Sequence, residues 1–346
     1  MSEIITLTID DLEVEAAPGT SILRAALDSG IYIPHLCDHV DLTSVGICRV
    51  CLVEIEGRRP TVSCMTPVEE GMVVRTASEE LDKTRRINLE LLVLNHDYNC
   101  QNCAKNSKCQ LQELTRFIGL DEDRIKTMRE PELTMPLDDS NPYYLRDMNK
   151  CVLCGICVRT CEEIQGDECI DFTFRGIETR IGVLGDKPII DSTCVTCGEC
   201  VVRCPVGALI PRVAVEPTYE VETVCPFCGC GCGILVGVRG GKIVRSEAVD
   251  KSPSSGGSLC VKGRFGLGFV NSPKRLTTPL IRKEGKLVEA SWEEALSLVA
   301  EKLGQYKGGQ FATIASAKCS VEDNYVIQKF TRAVMGTNNI DHCARL

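Results

Sequence analysis

The chain has 346 residues, enough for two to four small domains each with its own core. Hydrophobic residues at 44% and charged residues at 25% are ordinary for a soluble fold, while aromatics at 5% leave few large apolar anchors. A formal charge of -9 argues against a basic nucleic-acid-binding face, and 23 cysteines are far more than a chain this long needs as disulfide staples. Metal ligation is the better explanation for them. Residues 1–10 carry no basic-then-apolar export signal and no twin-arginine pair, and no apolar run approaches the roughly 18 to 20 residues of a membrane span. A cytoplasmic protein without direct membrane insertion is expected.

The first segment, residues 1–78, alternates apolar and polar positions over 4–9 and 12–16 around Asp10 and Asp11, which predicts a β-hairpin. Ser21 is placed to cap a helix over 22–29, Gly30 to end it in a left-handed conformation, and 51–55 and 72–75 read as strands. The expectation is a small sheet wrapped over one helix. Into its loops fall Cys37, Cys48, Cys51 and Cys64, spaced C-x10-C-x2-C-x12-C, with Gly46 where backbone must pass close to a cluster. Four thiolates suit a 2Fe-2S centre; zinc is the alternative, although zinc ribbons usually pair two C-x2-C knuckles. The set resembles the ferredoxin-type 2Fe-2S domain that opens the large iron-sulfur subunit of respiratory complex I and of iron-only hydrogenases, which implies a β-grasp fold. His35 and His39 flank Cys37; either could donate to a cluster sulfur, but both read more simply as solvated loop residues.

In residues 79–145, the Ser78 cap, the acids Glu79 and Glu80, and Leu81, Ile87, Leu91 and Leu94 predict a helix running to Asn95. It delivers His96, and the spacing continues His96-x3-Cys100-x2-Cys103-x5-Cys109 into a second amphipathic stretch over 111–118. Three cysteines leave one iron of a 4Fe-4S cube without thiolate, and His96 stands where the fourth ligand belongs. This set resembles the cluster module with one histidine and three cysteines that follows the 2Fe-2S domain in the same proteins.

Residues 146–215 hold an internal repeat: Cys151, Cys154, Cys157 and Cys161 as C-x2-C-x2-C-x3-C, then Cys194, Cys197, Cys200 and Cys204 in the same spacing. Gly155 and Gly198 match, and Pro205 follows Cys204 where Glu162 follows Cys161. In two-cluster ferredoxins the fourth cysteine of each run serves the other cube, which pairs Cys204 with Cys151, Cys154 and Cys157, and Cys161 with Cys194, Cys197 and Cys200. Cys169 reads as a small core residue.

Residues 216–273 carry Cys225-x2-Cys228-x3-Cys232 and, after two strands over 234–238 and 242–244, Cys260 followed by Lys262 and Gly263. Cys230 competes with Cys232 as third ligand. The pattern resembles the 4Fe-4S domain of the molybdopterin oxidoreductases, among them formate dehydrogenases and periplasmic nitrate reductases. That resemblance implies that Lys262 bridges cube and pterin. Residues 274–346 resemble the opening of the pterin-binding α/β domain, with Ser291 capping a helix over 292–303, a core strand over 311–315 and a helix over 321–335. Its apolar surfaces over 265–346 are expected to lack their packing neighbours. The stretch from Thr337 to Leu346 resembles the segment just before the metal-binding selenocysteine or cysteine of formate dehydrogenases, which implies that residue directly after Leu346 and no catalytic residue before it. Cys319 and Cys343 read as structural.

Together the resemblances imply an α+β multidomain chain with one 2Fe-2S and four 4Fe-4S clusters, from the catalytic subunit of a molybdenum or tungsten formate dehydrogenase. They imply a bis-molybdopterin guanine dinucleotide cofactor. They also imply hetero-oligomeric partners: flavin and iron-sulfur NAD(P)-reducing subunits, or an iron-only hydrogenase subunit. The alternative is the corresponding subunit of complex I or an NAD-linked hydrogenase, with an inert pterin-type domain; a zinc-stabilised scaffold is a third reading.

Overall fold

The computed structural model describes residues 4–94, 96–128, 134–317 and 319–342, and divides into two compact units, Met1–Val213 and Ala214–Leu346. The expectations for Asn95, Cys343 and the 343–346 ending lie outside the described residues. Among those described, no helix is long and apolar enough to cross a membrane.

In the first unit, β1 (Ile5–Ile9) and β2 (Leu12–Ala16) form the expected hairpin, with Asp10 and Asp11 at φ 49° and 65°. Aspartate tolerates that region, and the Asp10 carboxylate is anchored by the Thr76 amide at 2.7 Å. Helix α1 (Ile22–Asp28) starts where Ser21 Oγ accepts from the Arg24 amide, and it buries Ile22, Leu23, Ala25 and Ala26. Strands β3 (Leu52–Ile55), β4 (Thr61–Val62) and β5 (Val73–Arg75) complete a five-stranded sheet of order β2-β1-β5-β3-β4, in which β1 and β5 run parallel. Cys51 and Cys64 belong to the core between this sheet and α1.

Helix α2 (Glu79–Val93) is capped by Ser78 Oγ at 3.2 Å from the Leu81 amide, and α3 (Gln110–Ile118) and α4 (Glu122–Met128) follow. Then come β6 (Tyr144–Arg146), α5 (Ile156–Arg159), β7 (Asp171–Thr173), β8 (Arg180–Gly182), α6 (Glu199–Arg203) and β9 (Leu209–Pro211). Strand β6 pairs antiparallel with β9, and β7 with β8. A single core packs Leu36, Leu89, Leu114 and Tyr144 together with Cys37, Cys109, Cys154 and Cys204.

In the second unit, β10 (Tyr219–Val224), β11 (Gly233–Arg239) and β12 (Lys242–Ala248) form an antiparallel sheet, with α7 (Val261–Phe265) packed on β12. Beyond it lie the hairpin β13 (Leu280–Lys283) and β14 (Lys286–Glu289), helix α8 (Trp292–Leu303) capped by Ser291, strand β15 (Thr313–Ala315), α9 (Val321–Lys329) and β16 (Ile340–His342). Strands β15 and β16 pair in parallel across α9. Two expectations are corrected here. The strand over 311–315 is not core, because Ile314 is 84% exposed. The helix over 321–335 stays α only to Lys329 and widens into a π-type turn over Phe330–Val334, where Thr331 Oγ1 donates back to the Ile327 carbonyl at 2.8 Å.

Candidate metal centres

Among the described residues no two cysteines form a disulfide, yet the sulfurs gather into groups. Cys37, Cys48, Cys51 and Cys64 are all buried, and the Cys48 amide donates to Cys37 Sγ at 3.4 Å. Cys64 donates its proton toward Cys51 and lowers it to about 7, and Cys37 does the same for Cys48. Four thiols that share protons in an apolar core are the donor set a metal deprotonates outright. Arg159 ties the Cys37 loop to α5, with Nη1 on the Thr43 carbonyl at 2.6 Å and Nη2 on the Cys37 carbonyl at 2.5 Å. The close neighbour of Gly46, whose φ is 62°, is Met65: a Cβ there would lie 2.6 Å from its Sδ. His35 Nδ1 bonds the Ile33 carbonyl and His39 Nδ1 accepts from the Asp41 amide, so both histidines are engaged with the loop itself.

His96 is 7% exposed, and its Nδ1–H donates to the Lys150 carbonyl at 3.1 Å. That bond selects the tautomer with the lone pair on Nε2, the way a metal-ligating imidazole is oriented. His96, Cys100, Cys103 and Cys109 line one cavity of about 570 Å³, and Gly207 closes its far side. A Cβ on Gly207 would stand 2.5 Å from Cys103 Sγ, so only glycine fits there. The signal for Gly207 in the sequence is slight, since it is a glycine three residues past Cys204.

The internal repeat recurs in the backbone. Leu153 and Thr196 take left-handed φ values of 54° and 55°, and Gly155 and Gly198 follow at 70° and 77°, opening α5 and α6. Each run turns an amide onto its first sulfur: Leu153 N–H to Cys151 Sγ and Thr196 N–H to Cys194 Sγ, both at 3.4 Å. A left-handed leucine or threonine costs about 1–2 kcal/mol, and the turn it permits is what aims these amides at sulfur. All eight cysteines line one enclosed cavity. Burial pushes Cys154, Cys157 and Cys200 up, so as bare thiolates they would be strongly disfavoured and a cationic metal is the natural counterion.

Two further residues reach this cavity. Cys169 is not the core residue the spacing suggests: its Sγ lies 3.6 Å from Cys161 Sγ, and its proton lowers Cys161 to about 7 and Cys194 to about 6. Tyr144, 2% exposed, places its hydroxyl 3.4 Å from Cys194 Sγ. Neither contact has a spacing signature, because strand geometry makes both.

In the second unit Cys225 is core, Cys232 half-buried, and Cys228 and Cys260 exposed. The sulfurs of Cys230 and Cys232 are 3.5 Å apart, so both third-ligand alternatives occupy one place. Cys260 caps α7, Lys262 is exposed on its first turn, and a Cβ on Gly263 would contact Cys225 Sγ at 3.5 Å. Cys319 is exposed, against its expected structural role.

Comparison with known families places these groups in matching order. Residues 2–79 match a 2Fe-2S iron-sulfur cluster binding domain and 85–124 the NADH-ubiquinone oxidoreductase-G iron-sulfur binding region. Residues 150–208 match a 4Fe-4S dicluster domain, 218–272 the molybdopterin oxidoreductase Fe4S4 domain and 275–346 the molybdopterin oxidoreductase model. The chain is 37% identical over 351 residues to an NADH-quinone oxidoreductase subunit of Rhizobium meliloti, and 34% over 389 residues to the putative formate dehydrogenase YrhE of Bacillus subtilis. Each match covers 99% of this chain and 40% of the relative, so the chain spans about two fifths of the length of the curated relatives it matches. A solved chain of an NAD+-reducing NiFe-hydrogenase in the H2-reduced state is similar at 33% identity and TM-score 0.56, over 62% of this chain and 90% of that one. The chain belongs to the α+β iron-sulfur oxidoreductases of the NADH-quinone oxidoreductase-G type, with a molybdopterin oxidoreductase domain following the cluster domains.

Proposed function

We propose that the chain is the electron relay of a formate dehydrogenase, or carbon dioxide reductase, catalytic subunit. Its segments are 1–78, 79–145, 146–215, 216–273 and 274–346. Cys37, Cys48, Cys51 and Cys64 hold a 2Fe-2S cluster, and 4Fe-4S clusters are held by four sets. These are His96 with Cys100, Cys103 and Cys109; Cys151, Cys154, Cys157 and Cys204; Cys194, Cys197, Cys200 and Cys161; and Cys225, Cys228, Cys232 and Cys260. When bound, such clusters supply one-electron storage, and a molybdenum or tungsten bis-molybdopterin guanine dinucleotide supplies two-electron formate chemistry. The residues fix where each group sits, exclude water around the eight-cysteine cavity and orient the imidazole of His96. Lys262 supplies a positive charge beside the Cys225 set, toward the pterin.

The observation that carries the relay is the meeting of two backbone-matched cysteine runs in one enclosed cavity. The formate reading rests on Lys262 and on the similarity to YrhE. Such a subunit works in a cytoplasmic hetero-oligomer, passing electrons to flavin and iron-sulfur NAD(P)-reducing subunits or to a hydrogenase subunit. A second reading, an NADH-quinone oxidoreductase or NAD-linked hydrogenase subunit with an inert pterin-type domain, is favoured by the 37% identity to the Rhizobium meliloti protein. Molybdenum, tungsten and pterin analysis of the native protein, with formate-dependent viologen reduction, separates the two. Pterin, metal and activity together are expected; iron-rich protein lacking all three would establish the second reading.

A further inference from the structure

The two cysteine runs are near-copies in backbone, yet their sulfurs do not have the same neighbours. Each receives one amide at 3.4 Å. The second set also faces the Tyr144 hydroxyl at Cys194 and the Cys169 thiol at Cys161. A carboxylate stands there too: the ligand atoms of Asp167, Cys161 and Cys169 all lie within 4.8 Å of one another, and Asp167 is held by the Val195 amide at 3.2 Å. Beside the first set, the charge of Arg146 is matched by Asp138 at 3.0 Å, so it is largely spent before it reaches sulfur.

Reduction adds one negative charge to a cluster. A hydrogen bond to a ligating sulfur stabilises the reduced form and raises the potential, and a nearby carboxylate lowers it. Once Cys194 and Cys161 bind iron they carry no proton, so the Tyr144 O–H and the Cys169 S–H can only donate. Tyr144 makes this contact from the core, where its hydroxyl has little access to water as a competing partner.

We propose that Tyr144 and Cys169 are positioning residues that hold up the reduction potential of the cluster on Cys161, Cys194, Cys197 and Cys200, by donating to Cys194 and Cys161 against the opposing carboxylate of Asp167. One electron arrives from the neighbouring cluster on Cys151, Cys154, Cys157 and Cys204, which is oxidised by one, and no bond breaks. Without the two donors the carboxylate dominates, and the second cluster becomes the harder of the pair to reduce. The inference rests on the ligand assignment above.

The test is an anaerobic redox titration of the whole iron-loaded protein, followed by electron paramagnetic resonance with iron and sulfide counts. Tyr144→Phe and Cys169→Ala each lower the midpoint of one 4Fe-4S centre at unchanged iron content. The expected fall is a roughly three- to tenfold change in its reduction equilibrium, tenfold being about 59 mV for one electron. Asp167→Asn shifts the same centre upward, and Cys169→Ser, which keeps a donor, restores most of the loss. Unchanged midpoints in both Tyr144→Phe and Cys169→Ala at full iron content would overturn the proposal while leaving the ligand assignment intact. Loss of about four irons in Cys169→Ala but not in Cys161→Ala would overturn it differently, by making Cys169 the ligand. Wild-type protein without a 4Fe-4S centre at these cysteines would sink the assignment itself.

Discussion

The two units handle cysteine in opposite ways. In Met1–Val213 the candidate ligands are core residues: Cys37, Cys48, Cys109, Cys154, Cys161 and Cys204 pack in one apolar cluster with Leu36, Leu89 and Leu114. In Ala214–Leu346 only Cys225 shares a core among the described residues, with Ile234, Val236, Leu259 and Leu267, while Cys228 and Cys260 are exposed. A chain with few aromatics that places thiols where leucines would go depends on metal to neutralise them, because buried thiolate is costly and buried thiol packs little volume. In the first unit, metal therefore holds the fold. In the second, a three-stranded sheet holds the metal.

Stripping iron with a chelator under anaerobic conditions should have the largest effect. Hydrogen exchange is expected to show protection lost through α2, α3, α5 and α6 and kept in β11 and β12. Protection surviving in α5 and α6 after the iron has gone would erase the contrast between the units. Next come single ligands: Cys154→Ala and Cys228→Ala should each cost about four irons. Only Cys154→Ala should lower the unfolding midpoint of the first unit, by roughly 10 °C on a scale of about 2–4 °C per kcal/mol. Equal losses of stability would break the comparison.

Gly207→Ala should act more locally, since its Cβ would stand 2.5 Å from Cys103 Sγ. It is expected to reduce occupancy of the His96 site and leave the other centres' resonance signals intact, which sharpens how tightly the cavity of the first unit is fitted. Arg159→Ala should be milder again. It leaves the buried Thr43 and Cys37 carbonyls without their donors, at about 2–3 kcal/mol, and should speed bleaching of the 2Fe-2S absorbance by chelator.

Much of this is legible in the residues. Alternation and Asp10-Asp11 locate the first hairpin, and Ser21, Ser78 and Ser291 mark three helix starts, because caps act within one turn of backbone. Cysteine spacing carries the ligand sets for the same reason: C-x2-C loops impose local geometry. What escapes depends on distant packing. Strand β4 is two residues long and has no pattern of its own. The apolar stretch ending at Ala315 reads as core, yet Ile314 is 84% exposed, since periodicity says nothing about what covers a strand. Tyr144, Cys169 and Gly207 meet their sulfurs through tertiary contacts 50, 8 and about 100 residues away in sequence, and no motif records them.

The most direct test is Mössbauer spectroscopy with iron, sulfide and zinc counts on anaerobically purified native protein. One 2Fe-2S and four 4Fe-4S centres are expected, one of the cubes altered selectively by His96→Cys. Zinc in place of iron at the Cys151 and Cys194 runs, or a colourless protein, would contradict the relay.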